Sequence, residues 1–308
     1  MGKIVILASI VTVVVAISII SGLLLEQENI QNSDTNTLIL ESEKNQQLQS
    51  FQSSNLLSCN CVAFRLDDVP SPFSNVESAV INMFMEKNIG LTLGIVGGEL
   101  SDGSGNVVHN EENKKRLVEL IKEQSQTNNE ILELANHSWL HRSLLNFDKD
   151  GQRERIMSSH NEIIKVFETK PTVYIPAFND FNDDTIEILT ENGYTHLSSG
   201  RNKDFAPFPM KDSEFYRFPA TALTGWEAAT GEYITSTHQG AFSDVKKSLS
   251  KNGFAVVMMH AKDFAIIEND EHIDEIHPRK IEQLELLIKD IQDDGLRIVP
   301  LGKINLDS

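Results

Sequence analysis

Six short apolar runs, each followed by a polar or amphipathic stretch, constrain this 308-residue chain more than any other feature of it. They span 61–66, 91–96, 131–135, 172–175, 254–259 and 296–301. Runs of this length, separated by stretches with helical periodicity, form the pattern of βα units laid around a mostly parallel sheet. The intervening helices carry their own signals. One is expected from Ser74 to about Lys87, with Glu77 three residues on in capping-box position. A second covers 183–191 and stops at Gly193. A third covers 278–293, with Pro278 at its start, Gly295 just past its end, and Ile281, Leu284, Ile288 and Ile291 on one face. The fold class these patterns imply is α/β.

Residues 4–25 hold no charged side chain, and about 20 apolar residues are enough to cross a bilayer core as a helix. A secretory apolar region usually runs to about 7–15 residues and ends at a small-residue cleavage site. An uncleaved transmembrane anchor over 1–25 is therefore the expectation, with secretion the outcome if the segment is removed. The stretch after it is acidic and holds a single lysine, which places the bulk of the chain outside the cytoplasm. Residues 26–58 are rich in Gln, Asn, Ser and Glu without sustained periodicity, the composition of a polar linker. The remainder, 59–308, suits one α/β barrel or two small domains.

The chain carries 27 Lys plus Arg against 45 Asp plus Glu, a net charge of −18. Binding to nucleic acid needs clustered cations, so no nucleic-acid partner is expected. The same acidity argues for neutral or cationic ligands over acidic ones. Two cysteines, Cys59 and Cys61, are too few for a disulfide framework or a four-thiolate zinc site; one residue apart, they are expected as free thiols or an unusual disulfide. Asp102-Gly103-Ser104-Gly105-Asn106 begins like a calcium loop, but Asn113 stands at position twelve where a bidentate Glu is needed, so it reads as a hairpin-like insertion. His272 and His277 lie in the acidic stretch 268–277, which reads as a solvated loop over the mouth of the fold.

Residues with chemistry fall at the C-terminal ends of the apolar runs. Asp67 and Asp68 follow 61–66, His137 and His141 follow 131–135, Pro176, Phe178 and Asn179 follow 172–175, and His260 follows 254–259. In a parallel barrel those ends meet on one face. Each alone is ambiguous: His137 and His141 at i, i+4 read equally as exposed helix histidines, Asp67 and Asp68 before Val69-Pro70 as a turn signal, and His260 as a hydrogen-bonded core residue. Together, two imidazoles and a carboxylate make an open three-ligand metal site, with a second carboxylate to act as base and a third imidazole as acid. Asn136-His137-Ser138 is the only glycosylation sequon, and it is expected to be unmodified because sugar there would collide with such a site.

The segments Phe64-Arg65-Leu66-Asp67-Asp68, His137-Ser138-Trp139-Leu140-His141 and Met258-Met259-His260 together resemble the three best-known motifs of the polysaccharide deacetylases, the NodB-homology group or carbohydrate esterase family 4. The resemblance covers roughly 62–304. It implies a distorted (β/α) barrel in which 91–96 is similar to the second strand and 296–301 to the closing strand. It also implies that Asp68, His137 and His141 bind Zn2+ or another divalent transition metal, that Asp67 is the general base, and that His260 is the general acid. The implied reaction is hydrolytic removal of N-acetyl groups, or O-acetyl groups, from an extracellular or cell-surface glycan.

Two stretches depart from the family pattern. Its third motif carries an Arg before Pro-Pro that supports the base; here the matching stretch reads Tyr174-Ile175-Pro176-Ala177-Phe178-Asn179. Asn179 is left to line the cleft, and Arg65 or Arg217 to supply the charge from elsewhere. No fourth motif of the Asp-x-x-Asp-Trp kind is present, and Trp226, in Thr224-Gly225-Trp226-Glu227, either stands in for its Trp or is a core or rim aromatic. With Pro176, Phe178 and Asn179, Trp226 completes the substrate-side candidates. These departures sustain a rival reading, a noncatalytic, metal-stabilised glycan-binding domain tethered to the membrane. The chain is expected to be a monomer.

Overall fold

Strand β1 (Cys61–Val69) sets the plan, because its side chains alternate between two cores. Val62, Phe64 and Leu66 join the apolar cluster shared with the helices, while Cys61 and Ala63 join a cluster built almost wholly from strands. By the same two-residue period, Arg65 and Asp67 continue the inner row. The computed structural model describes residues 59–100, 111–128, 130–204 and 215–304. The anchor and linker expected over 1–58, and the insertion at 102–106, lie outside them. Among the described residues no helix is long and apolar enough to cross a membrane.

Around β1 stand β2 (Leu91–Ile95), β3 (Leu132–Asn136), β4 (Val173–Tyr174), β5 (His196–Leu197), β6 (Tyr216–Arg217), β7 (Ala222–Leu223) and β10 (Phe254–His260). Their order in the sheet is β6-β5-β4-β3-β2-β1-β10-β7, and every pairing is parallel. A short strand, β13 (Arg297–Ile298), adds to the start of β1. Residues 216–224 join the two edges of this sheet. The N–H groups of Tyr216, Phe218 and Ala220 donate to carbonyls 195–199 on one side, and those of Thr221 and Thr224 donate to Val256 and Met258 on the other. The result is the distorted (β/α) barrel that the sequence implies, with strand C-terminal ends on one face.

The helices α1 (Ser74–Glu86), α2 (Glu111–Thr127), α3 (Lys149–Phe167), α4 (Asp183–Glu191), α5 (His238–Asn252) and α6 (Pro278–Asp293) follow strands in βα fashion. α4 and α6 have the expected bounds. Asn182 caps α4 through Thr185, and α6 buries Leu284, Leu287, Ile288 and Ile291. The capping box expected at Ser74 is absent. The helix N-cap is Phe73, and the N–H groups of Asn75 and Val76 donate instead to Asp274 Oδ1, at 2.9 and 3.2 Å. Glu77 reaches further back, accepting the Ser71 N–H at 3.0 and 3.2 Å. Asp274 belongs to a hairpin of β11 (Ala265–Glu268) and β12 (Glu271–Ile276), so 268–277 is ordered structure and not a solvated loop. A second hairpin pairs β8 (Gly225–Glu227) with β9 (Tyr233–Thr235).

Other expectations change in detail. The run at 296–301 yields only a two-residue strand, because Pro300 has no N–H to give and the Gly302 N–H turns to Glu133 at 3.0 Å. The run at 172–175 is likewise two residues of strand. Cys59 and Cys61 are joined as a disulfide, the rarer of the two outcomes the sequence left open.

Gly97 follows β2 at a close crossing, where a Cβ would lie 2.5 Å from Ser159 Cα on α3. Its N–H donates to Ser138 O at 3.0 Å. Gly97→Ala is therefore expected to destabilise the fold by about 1–3 kcal/mol, read as a lowered urea midpoint.

Buried His196 and Glu77 give the stability a pH dependence of opposite signs. Burial lowers the His196 pKa to about 4, so the unfolded chain binds a proton between about pH 6.5 and 4 that the folded one refuses, and stability falls as pH drops through that window. Burial pushes Glu77 up to about 8, so the folded chain keeps a proton that the unfolded one releases, and stability falls as pH rises from about 4.5 to 8. In urea titrations His196→Leu should lose less stability than the parent between pH 6.5 and 4, and Glu77→Gln less between pH 5 and 8.

Candidate active site

Adjacent residues on a strand point to opposite faces, yet Asp67 and Asp68 both reach the site because β1 is irregular there. Leu66 pairs with Leu93 and Val69 with Ile95, so two residues of β1, Asp67 and Asp68, lie against one of β2, Gly94. Asp68 takes up the extra residue at φ 67°, which turns its carboxylate back towards the barrel mouth. Asp67 stands opposite His260 in the β1–β10 register. One strand end thus carries both carboxylates, and its neighbour carries the late histidine.

His137 and His141 are not on a helix; they lie in the loop after β3. Asn136 anchors that loop from full burial. Its Nδ2 donates to Ile156 O at 2.9 Å and to the Tyr194 hydroxyl at 2.7 Å, and its Oδ1 accepts the Ser138 N–H at 2.9 Å. With both ends of its amide in use, the Asn136 sequon has no room for a glycan.

Asp68 Oδ1 lies 3.0 Å from His137 Nε2 and 3.2 Å from His141 Nε2, and the three ligand atoms fall within 4.8 Å of one another. His137 Nδ1 donates to Ile175 O at 2.7 Å, since a carbonyl only accepts; in the neutral ring this leaves the Nε2 lone pair facing Asp68 and His141. Two imidazole nitrogens and one carboxylate oxygen, with further positions open, fit a divalent transition metal. The electrostatics agree with ligation. Burial alone would raise the Asp68 pKa, but the His137 hydrogen bond and the three nearby imidazoles outweigh it and hold the group well below the usual carboxylate range. Burial lowers the His141 pKa. Burial also works to lower that of His137, but its bond to Asp68 and the charges of Asp67 and Asp68 raise it overall.

Behind Asp67 lies a fully buried Arg65. It stands two residues before Asp67, on the same inner face of β1, and its guanidinium reaches Asp67 Oδ2 at 3.1 Å. The same group donates to Asn179 Oδ1 at 3.0 Å, to Ser198 Oγ at 2.8 Å and to the Ser198 carbonyl. Burial lowers the Arg65 pKa and the Asp67 carboxylate opposes that shift. Of the two arginines considered from sequence, Arg65 is the one at the site, whereas Arg217 pairs with Asp204. Asn179 is accordingly a partner of the arginine, to which its side-chain oxygen is committed.

His260 Nε2 lies 3.9 Å from Asp68 Oδ2. Among the described residues no side chain hydrogen-bonds its Nδ1, in keeping with the missing fourth motif. Asp263, which sequence reading did not single out, sits below. This buried carboxylate accepts the His260 backbone N–H at 2.9 Å, the Thr224 hydroxyl at 2.5 Å and the Tyr233 hydroxyl. Phe178 is exposed at φ 56°, its ring 4.6 Å from that of His141, and Pro176 is buried. Trp226, 40 % exposed on the β8–β9 hairpin, is neither a core residue nor part of the cavity wall. That cavity, about 240 Å³, is bounded by Asp68, His141 and His260 on one side, and by Ser71, Phe73, Glu99, Lys114 and Lys262 elsewhere.

A parallel barrel that delivers a carboxylate pair, a His-x-x-x-His loop and a late histidine to one face defines the NodB-homology class of fold. A family profile described as polysaccharide deacetylase matches residues 55–197. Over those residues the chain is similar to the polysaccharide deacetylases. No curated protein is significantly similar to it in sequence. Among solved structures, a protein from Mycobacterium smegmatis described as a polysaccharide deacetylase is 17% identical, with a TM-score of 0.56 over 79% of this chain and 88% of its own. A family 4 acetyl xylan esterase from Clostridium thermocellum, in complex with a cobalt ion, is 16% identical, with a TM-score of 0.50 over 79% and 89%. A family 4 pseudoenzyme from Bacillus anthracis is 13% identical, with a TM-score of 0.51 over 80% and 66%. At these identities the likeness is one of fold.

Removing Arg65 strands a buried carboxylate. Arg65→Met is expected to cost about 3–5 kcal/mol in urea unfolding, and the double variant Arg65→Met/Asp67→Leu to recover a large part of that loss.

Proposed function

We propose that this chain is a metal-dependent hydrolase that removes N-acetyl groups from a cell-surface or extracellular glycan. The reading is carried by the approach of Asp68, His137 and His141 within 4.8 Å, with Asp67 and His260 beside them in a shared strand register. When bound by those three residues, Zn2+ or another divalent transition metal supplies Lewis acidity that polarises an acyl oxygen and acidifies water. Asp67 is the general base. Arg65 engages its Oδ2, while its Oδ1 has no hydrogen-bond partner among the described residues and keeps a lone pair for the proton of the attacking water. The water oxygen adds to the acyl carbon, the carbon–nitrogen bond breaks, and His260 gives its Nε2 proton to the departing nitrogen. A free amino sugar and acetate leave.

An O-acetyl ester needs the same two proton transfers, so esters remain within reach of the site. Phe178 offers an exposed aromatic face beside His141 on which a sugar ring can rest, backed by Pro176. Trp226 is assigned to a more distant part of the glycan, and Asn179 to holding Arg65 in place. The catalytic domain, 59–308, is carried outside the cytoplasm on the linker 26–58 by the anchor 1–25, or is secreted if that segment is cleaved. A Cys59–Cys61 disulfide suits such oxidising surroundings.

The full-length, metal-loaded protein should release acetate from N-acetylated oligosaccharides. Asp67→Asn should retain the metal and lose about 10²–10⁴-fold in turnover, while His137→Ala should lose the metal itself in elemental analysis. Sugar binding without acetate release, unchanged by Asp67→Asn, would instead establish the noncatalytic glycan-binding reading.

A further inference from the structure

We infer that Lys262 recognises a carboxylate on the sugar that enters the cavity, so that the substrate is an acidic acetylated glycan. This rests on the deacetylase reading for the acetyl group and on separate observations for the acid. The cavity is far larger than an acetyl group and bears four residues of full charge: Asp68, Glu99, Lys114 and Lys262. Three of these charges are answered within the protein. Asp68 faces His137, His141 and His260, and Glu99 pairs with Lys114 at 3.4 Å.

Lys262 differs from them. It lies two residues beyond His260 in the turn Ala261–Phe264, half-buried in the cavity wall. Its ammonium stands 4.8 Å from the centroid of the Tyr233 ring, and among the described residues it has no carboxylate in ion-pair range. Its neighbour Asp263 is already occupied, accepting from the His260 N–H, the Thr224 hydroxyl and the Tyr233 hydroxyl. The platform is itself fixed: Asp263 holds the Tyr233 hydroxyl, and His272 packs edge-on against the ring at 5.2 Å. An ammonium resting on an aromatic face keeps its N–H donors free, unlike one locked to a carboxylate. A cation held this way beside the metal-ligand set is preorganised for an anion arriving with the substrate. The net charge of −18 argues against acidic ligands for the surface as a whole, but not for this cavity.

The test compares one N-acetylhexosamine oligosaccharide that carries a carboxyalkyl ether on its acetylated residue with the same compound as its methyl amide, which differs only in charge. Wild-type full-length protein should prefer the acid by about tenfold or more in KM, as a charge-assisted hydrogen bond predicts. Lys262→Gln should bring the acid-to-amide ratio close to one, Lys262→Arg should keep the preference, and added salt should weaken it. Equal KM values in the wild type, or a preference that survives Lys262→Gln, would overturn the inference. Calorimetric titration of both compounds, with and without the substitution, reads the same ratio independently of turnover. Absence of acetate release with a lysine-dependent binding preference would therefore fail the hydrolase reading and keep this one.

Discussion

The buried pairing of Arg65 with Asp67 is the constraint around which the barrel interior is arranged. A full charge inside a strand-lined core is tolerable only if it is paired and hydrogen-bonded, and the fold meets that demand from several directions. Strand β1 brings the two residues together by its own two-residue period. The β4–α4 connection contributes Asn179, and the end of β5 contributes Ser198. Each of these elements delivers a polar group that helps satisfy the guanidinium. The carboxylate that Arg65 holds faces His260 across the β1–β10 pairing, so the core and the reactive face share one network.

That network also explains how the site holds together with no arginine in the stretch 174–179. The cation beside Asp67, Arg65, comes from β1. Asn179 then serves as an acceptor for the arginine. At His260 the support is less complete: Asp263 fixes its backbone and the Tyr233 hydroxyl, while among the described residues the imidazole Nδ1 has no side-chain partner.

Much of this could be read from the sequence where a period or a spacing carried it. The short apolar runs 61–66 and 254–259 indicated the two strands and the positions of Asp67 and His260 at their ends, and Arg65 was one of two arginines offered as the charge at the site. Local sequence could not show that a bulge at Asp68 would rotate a second carboxylate into the site, because that depends on how β1 and β2 come into register. Nor could it show that α1 is capped by Asp274, nearly two hundred residues away, where Ser74 and Glu77 offered a plausible local cap. Asp263 and Lys262 escaped notice for a similar reason. Each is an ordinary polar residue in a short turn until the β8–β9 hairpin brings Tyr233 against it.

The extended stretch 216–224 also links the side of the barrel that supports Asp67 to the side that carries His260. Through its first residues it clasps β5, where the Phe218 carbonyl accepts the Ser198 hydroxyl that in turn accepts from Arg65; through its last it clasps β10 just ahead of His260. The supports of Asp67 and of His260 are thus tied to opposite ends of one ribbon. One continuous backbone segment therefore helps to fix the distance between the Asp67 and His260 sides of the barrel.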